Sequence, residues 1–130
     1  MSADRMGRNE LMYAVIDRKV EMVGVHLQAN VDPNHQDKNG WTALHFAAQN
    51  NDQIIVQILL DAGARTNLRD KYGNTALSTA VFAYRNDQEC ITTLLCAGAD
   101  PDAMNLYGVS ARSLAETIAN YDTRKFFAFP

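Results

Sequence analysis

A chain of 130 residues, 47% apolar and 21% charged, has the size and balance of one globular domain. No apolar run approaches the roughly 20 residues of a membrane span, and the polar start, Met1 to Glu10, lacks the apolar stretch of a secretory signal. The formal net charge of -3 argues against a nucleic-acid partner, which demands a basic face.

The first predicted element is a turn, Asp4-Arg5-Met6-Gly7, followed by Asn9, a helix-capping type. Ala14 marks the first helix. A second helix ends at Asn30, where a left-handed residue is needed, and Asp32-Pro33-Asn34 makes the next turn. The pattern then returns at a shift of 33: Asp37-Lys38-Asn39-Gly40, the cap Thr42 and Ala47. Its second helix carries Ile55, Val56, Ile58, Leu59 and Leu60, apolar nearly all round as in a helix buried between neighbours, and stops at Gly63.

A further shift of 33 gives Asp70-Lys71-Tyr72-Gly73, the cap Thr75 and Ala80. Asn86-Asp87-Gln88 matches Asn51-Asp52-Gln53 at a shift of 35, so two residues are inserted between Ala80 and Asn86. The segment Val81-Phe82-Ala83-Tyr84-Arg85 either lengthens this helix or bulges the loop after it. Cys90, Ile91, Leu94 and Leu95 form the next stripe, which ends at Gly98 before Asp100-Pro101-Asp102. A weaker last copy is Asn105-Leu106-Tyr107-Gly108, the cap Ser110 and Ala115. Phe126 and Phe127 align with Ile58 and Leu59 and are expected to cap the core; Phe129 has no apolar counterpart. The alanine column lets helices of adjacent units pack closely.

Gly40-Trp41-Thr42-Ala43-Leu44-His45-Phe46-Ala47-Ala48 resembles the ankyrin signature G-x-T-P-L-H-x-A-A, and Ile58-Leu59-Leu60-Asp61-Ala62-Gly63-Ala64 resembles its second half. The resemblance implies an all-α fold: an ankyrin-repeat solenoid of about four helix-turn-helix repeats joined by β-turn loops. The repeats would span 4–36, 37–69, 70–104 and 105–130 within one domain, 1–130, the first and last acting as caps. Ala43 and Ala76 replace the family's proline, Ser78 replaces its histidine, and Arg112 and Ser113 stand where Leu44 and His45 stand in the second repeat. Gly40, Thr42, His45, Gly63, Gly73, Thr75, Gly98 and Gly108 are therefore structural positions, with His45 tying turns together.

Catalytic chemistry is not expected. The histidines His26, His35 and His45 lack metal-ligand spacing, there is no Cys-x-x-Cys, and no glycine-rich phosphate loop occurs. Cys90 falls on a core position and Cys96 on a surface one; on one helix they would lie about 9 Å apart along the axis, on different faces, which excludes a disulfide and fits a reducing, cytoplasmic setting. His35 falls on a loop tip, solvated or in contact with a partner. No metal, cofactor or catalytic residue is assigned.

The resemblance implies that turn tips and first helices line a groove open to a partner protein. Lys38, Asn39, Trp41, Lys71, Tyr72, Asn74, Tyr84, Arg85 and Tyr107 are the candidate partner-binding residues, because aromatic and arginine side chains most often dominate binding energy. The alternative for Trp41, Tyr72 and Tyr107 is packing on neighbouring turns. Asp87, Glu89, Asp100 and Asp102 make the third repeat acidic, a surface that draws basic partners or simply solubilises the chain. The expected function is a non-catalytic protein-interaction module, monomeric on its own, with neither a nucleic-acid nor a membrane partner. The alternative is a stoichiometric inhibitor or immunity protein that neutralises a toxin or enzyme.

Overall fold

The computed structural model describes residues 5–84 and 88–118. Among these lie seven helices and no strands: α1 (Glu10–Ile16), α2 (Val20–Gln28), α3 (Ala43–Gln49), α4 (Gln53–Asp61), α5 (Ala76–Phe82), α6 (Glu89–Cys96) and α7 (Ala111–Thr117). Helices α1, α3, α5 and α7 pack in one row, and α2, α4 and α6 in a second. Each helix is too short to persist alone, so the stack is held by tertiary packing.

Local chemistry sets the starts. The side chains of Asn9, Thr42, Thr75 and Ser110 accept from the backbone N–H three residues on, capping α1, α3, α5 and α7. Asp52 caps α4 in the same way. The ends follow a second rule. Asn30, Gly63 and Gly98 have φ of 65°, 96° and 93°, and the next residue in each case donates back into the helix, as Ala64 N does to Leu59 O at 2.9 Å. The first helices close likewise at Arg18 and Asn51, with φ of 60° and 55°.

The alanine column is buried: Ala14, Ala47, Ala80 and Ala115 pack where the first-row helices meet. Leu11, Leu44 and Leu77 lie beneath them, with Ile55, Leu59, Ile91 and Leu94 from the second row. Buried side chains of this size contribute about 1.5–3 kcal/mol each.

The insertion does not lengthen the helix. Helix α5 has seven residues, as α3 has, and Ala83 and Tyr84 follow it outside the helix. This corrects the expectation for Tyr84, which is only 8% exposed and belongs to the core. Burying its ring removes more apolar surface from water than an exposed loop position would. Arg85, Asp87, Phe126, Phe127 and Phe129 lie outside the described residues.

Candidate protein-binding face

The tips are built by one repeated device. Asp37 Oδ1 accepts from the N–H groups of Asn39 and Trp41, each at 2.9 Å, and the Asp37 carbonyl accepts from Gly40 N. Asp70 Oδ1 does the same for Tyr72 and Asn74, and Asn105 Oδ1 for Tyr107 and Val109. Successive tips then join through backbone bonds of 2.9 Å: Lys38 N to Met6 O, Lys71 N to Asn39 O, and Leu106 N to Tyr72 O. Glycine is required by that approach. A Cβ on Gly40 would stand 2.7 Å from Asp70 Cα, and one on Gly73 2.9 Å from Leu106 N.

The second carboxylate oxygen faces backwards along the stack. Trp41 Nε1 donates to Asp70 Oδ2 at 3.1 Å, and Arg8 Nε to Asp37 Oδ2 at 3.5 Å. At the third junction the donor and acceptor exchange sides: Asn105 Nδ2 donates to Asn74 Oδ1 at 2.9 Å. The residue after each tip glycine is thus bonded to the first residue of the next tip. Trp41 also packs against His45 and Phe46, with centroids 5.5 and 4.9 Å away. Trp41 and Asn74 were expected as partner contacts; both are half-buried and take part in joining the repeats.

His45 completes the junction from below. Its Nδ1 accepts from Thr42 N at 3.2 Å, so Nε2–H donates to the Asn74 carbonyl at 3.0 Å. Desolvation by burial holds its pKa below the ordinary 6.5, although the Asn74 bond and the carboxylates of Asp70 and Asp37 pull the other way. His45 is therefore neutral and structural. His35 is not a solvated tip: its Nε2 lies 2.7 Å from the Gly7 carbonyl.

The residues that face solvent alternate with these. Tyr72 and Tyr107, immediately before the tip glycines, are 45% and 73% exposed, their centroids 6.5 Å apart. Lys38 and Lys71 are exposed, and Lys71 Nζ stands 5.2 Å over the Tyr72 ring. Asn39 is half-buried, its carbonyl engaged by Lys71 N. Between tips and first helices runs a groove. One concavity of about 320 Å³ is bordered by Trp41, Asn74, Thr79, Phe82, Val109 and Leu114. A second, of about 350 Å³, continues toward Arg8, Asn39, Gln49, Lys71 and Tyr72. Phe82 is 73% exposed at its edge. Phe82 was legible only as part of the insertion; its solvent-facing register follows from α5 ending there.

The acidic third repeat is partly answered within the chain. Arg112 Nε donates to Asp102 Oδ1 at 2.6 Å, which lowers the pKa of the exposed Asp102 carboxyl. Among the described residues no three His, Cys, Asp or Glu side chains gather as a metal site would require, and no helix is long and apolar enough to cross a membrane.

A family model for three copies of ankyrin repeats matches residues 4–105. The chain belongs to the ankyrin-repeat family. An ankyrin repeat-containing protein of Schizosaccharomyces pombe is 36% identical over 64 residues, 49% of this chain and 31% of that protein. Rabankyrin-5 of Mus musculus is 43% identical over 75 residues, 56% of this chain and 6% of that protein. An NAD-capped RNA hydrolase of Macaca fascicularis is 47% identical over 49 residues, 38% of this chain and 11% of that protein. The chain thus spans less than a third of the length of these relatives. Ankyrin repeats mediate protein–protein interaction and are typically non-catalytic.

Proposed function

We propose that the chain binds a partner protein, without catalysis, along the groove between its tips and first helices. The observation that carries this reading is the run of large exposed side chains on that face. Phe82, Leu106 and Tyr107 each stay more than 70% exposed, and Tyr72 nearly half. Adjacent apolar exposure of this kind marks an interaction surface. The groove beside them is open and shallow, which suits a protein surface better than an enclosed small molecule. Both free thiols, buried Cys90 and exposed Cys96, fit a reducing cytoplasmic compartment.

The test compares affinity capture from lysate by the wild-type chain and by a Phe82→Ala/Tyr107→Ala variant of equal melting temperature. A protein captured by the first and lost by the second supports the groove. Equal capture by both rejects it. An adaptor is distinguished from an inhibitor or immunity protein by the captured species. The latter role requires one enzyme or toxin whose activity falls at equimolar ratio.

A further inference from the structure

We infer that the segment gripped by this groove is acidic and carries an apolar anchor. This rests on the groove being the binding face, and it adds the chemistry of the partner.

The charges divide by position. The second residue of the first three tips is Arg5, Lys38 and Lys71, all exposed. Neither Lys38 nor Lys71 has an ion-pair partner among the described residues. Arg8, beside the second concavity with its guanidinium 5.2 Å from the Phe46 centroid, is paired with Asp37 and is not counted among them. The tips hold carboxylates too, but these are turned inward. The Asp37 side chain has no exposed surface; its Oδ1 takes two backbone N–H groups and its Oδ2 takes Arg8. Asp70 is buried in the same arrangement, with Trp41 as the donor to Oδ2. The exposed carboxylates of the described residues lie elsewhere: Asp17 after α1, Glu21, Asp32, Asp61, Glu89, Asp100 and Asp102 on the second row and its loops, and Glu10 and Glu116 at the two ends of the first row. A chain that is negative in total thus presents a cationic rim along the tips.

The apolar part is displaced to one end. At the fourth tip the cation column is interrupted by Leu106, 72% exposed, with Tyr107 and Tyr72 beside it and Phe82 across the groove. An occupant complementary to both features has Asp or Glu side chains opposite Lys38 and Lys71 and an aromatic or aliphatic residue at the Phe82 end. Charge sets its direction along the stack and speeds encounter, and the anchor supplies most of the affinity. A protein segment fits better than a nucleic acid, because the groove is lined by apolar and amide side chains, which suit an apolar anchor better than a phosphate backbone.

The test is random-peptide display on the whole chain, followed by anisotropy titration of the recovered peptides. The expected result is an excess of Asp and Glu over Lys and Arg, with one aromatic or aliphatic position held constant. Binding should weaken about tenfold in Lys38→Glu/Lys71→Glu, and again in Phe82→Ala, while melting is unchanged. Added salt should lower the affinity of the acidic peptides. Peptides without acidic excess that still lose binding in Phe82→Ala overturn this inference and leave the groove intact. Peptides indifferent to all three substitutions, or no enrichment, overturn both. A labelled single-stranded oligonucleotide that binds through Lys38 and Lys71 would also overturn the assignment to a protein segment.

Discussion

Trp41 is where stability and recognition compete for one side chain, and a graded truncation separates them. Trp41→Phe keeps most of the ring contact with His45 and Phe46 and removes the 3.1 Å bond from Nε1 to Asp70 Oδ2. A hydrogen bond to a charged acceptor contributes about 1.5–3 kcal/mol. Because Trp41 is half-buried and water can reach Oδ2 once the indole is gone, the lower end applies, about 1.5 kcal/mol. Trp41→Ala adds loss of the ring packing, for about 3 kcal/mol in all. Asp70→Asn leaves the Oδ1 acceptor for the tip but puts an amide NH2 where Oδ2 stood, so Trp41 Nε1 loses its acceptor; at the fourth tip the amide of Asn105 donates from that place. A double-mutant cycle between Trp41→Phe and Asp70→Asn should therefore show about 1 kcal/mol of coupling. The assay is urea unfolding followed by circular dichroism, since Trp41 is the chain's one tryptophan and its fluorescence vanishes in the variants. Trp41→Phe within about 0.5 kcal/mol of wild type, with no coupling to Asp70, would refute the inter-repeat role.

Three further outcomes follow from the same geometry. Gly40→Ala should cost about 3 kcal/mol or more, because left-handed strain of about 1–2 kcal/mol is joined by collision with the Asp70 backbone, whereas Gly108→Ala, with a similar φ and nothing within 4 Å, should cost only the strain; equal losses in urea melts would contradict the tight tip junction. Phe82→Ala should change stability by less than about 0.5 kcal/mol and weaken partner binding by about tenfold or more, read by thermal melts and titration with the captured partner; a destabilised variant with full affinity would place Phe82 in the core instead. Because the folded chain resists the proton that the unfolded chain accepts near pH 6.5, the His45 contribution is complete above that pH and declines as pH falls below it, by at most about 1.4 kcal/mol per unit until the depressed folded pKa is passed; denaturation measured from pH 7.5 to 5.5 should show this slope in the wild type and lose it in His45→Gln.

The stacking plan was legible because it rests on residues whose physical roles are local. A glycine with positive φ, a hydroxyl or amide cap and an alanine at a crowded helix contact are each dictated by a few neighbouring atoms, so their recurrence reveals the unit. Long-range polar bonds leave no such mark. Nothing in Trp41 itself says that its indole N–H reaches a carboxylate 29 residues on, or that His35 closes on Gly7. Arg18 and Asn51 end the first helices in the conformation usually left to glycine, whereas left-handed stops were expected only at the ends of the second helices, so neither was foreseen. Tyr84 was misplaced for a related reason. An inserted aromatic looks like an exposed elaboration, but Tyr84, two residues past the end of α5, packs into the core.

The tip divides its labour by a single step of sequence. The residue after the glycine faces the next repeat, and Arg8, Trp41 and Asn74 all bond there despite having little chemistry in common. At the third and fourth tips the residue before it faces out: the Tyr72 and Tyr107 rings stand 6.5 Å apart, with Lys71 Nζ 5.2 Å over Tyr72. Changes to the side chains of Tyr72 and Tyr107 can therefore alter what is gripped without loosening the stack, while changes after the glycine must preserve a partner for the neighbouring Asp or Asn. The same logic explains why the carboxylates do not spoil a cationic rim. Each is consumed by the N–H groups of its own tip and one donor from the previous repeat, which keeps its charge beneath the surface that Lys38 and Lys71 present. Removing a tip aspartate would thus weaken the stack while making the rim more positive, two effects of opposite consequence for an acidic partner. Separating them requires the paired Asp70→Asn and Lys71→Glu variants rather than either alone.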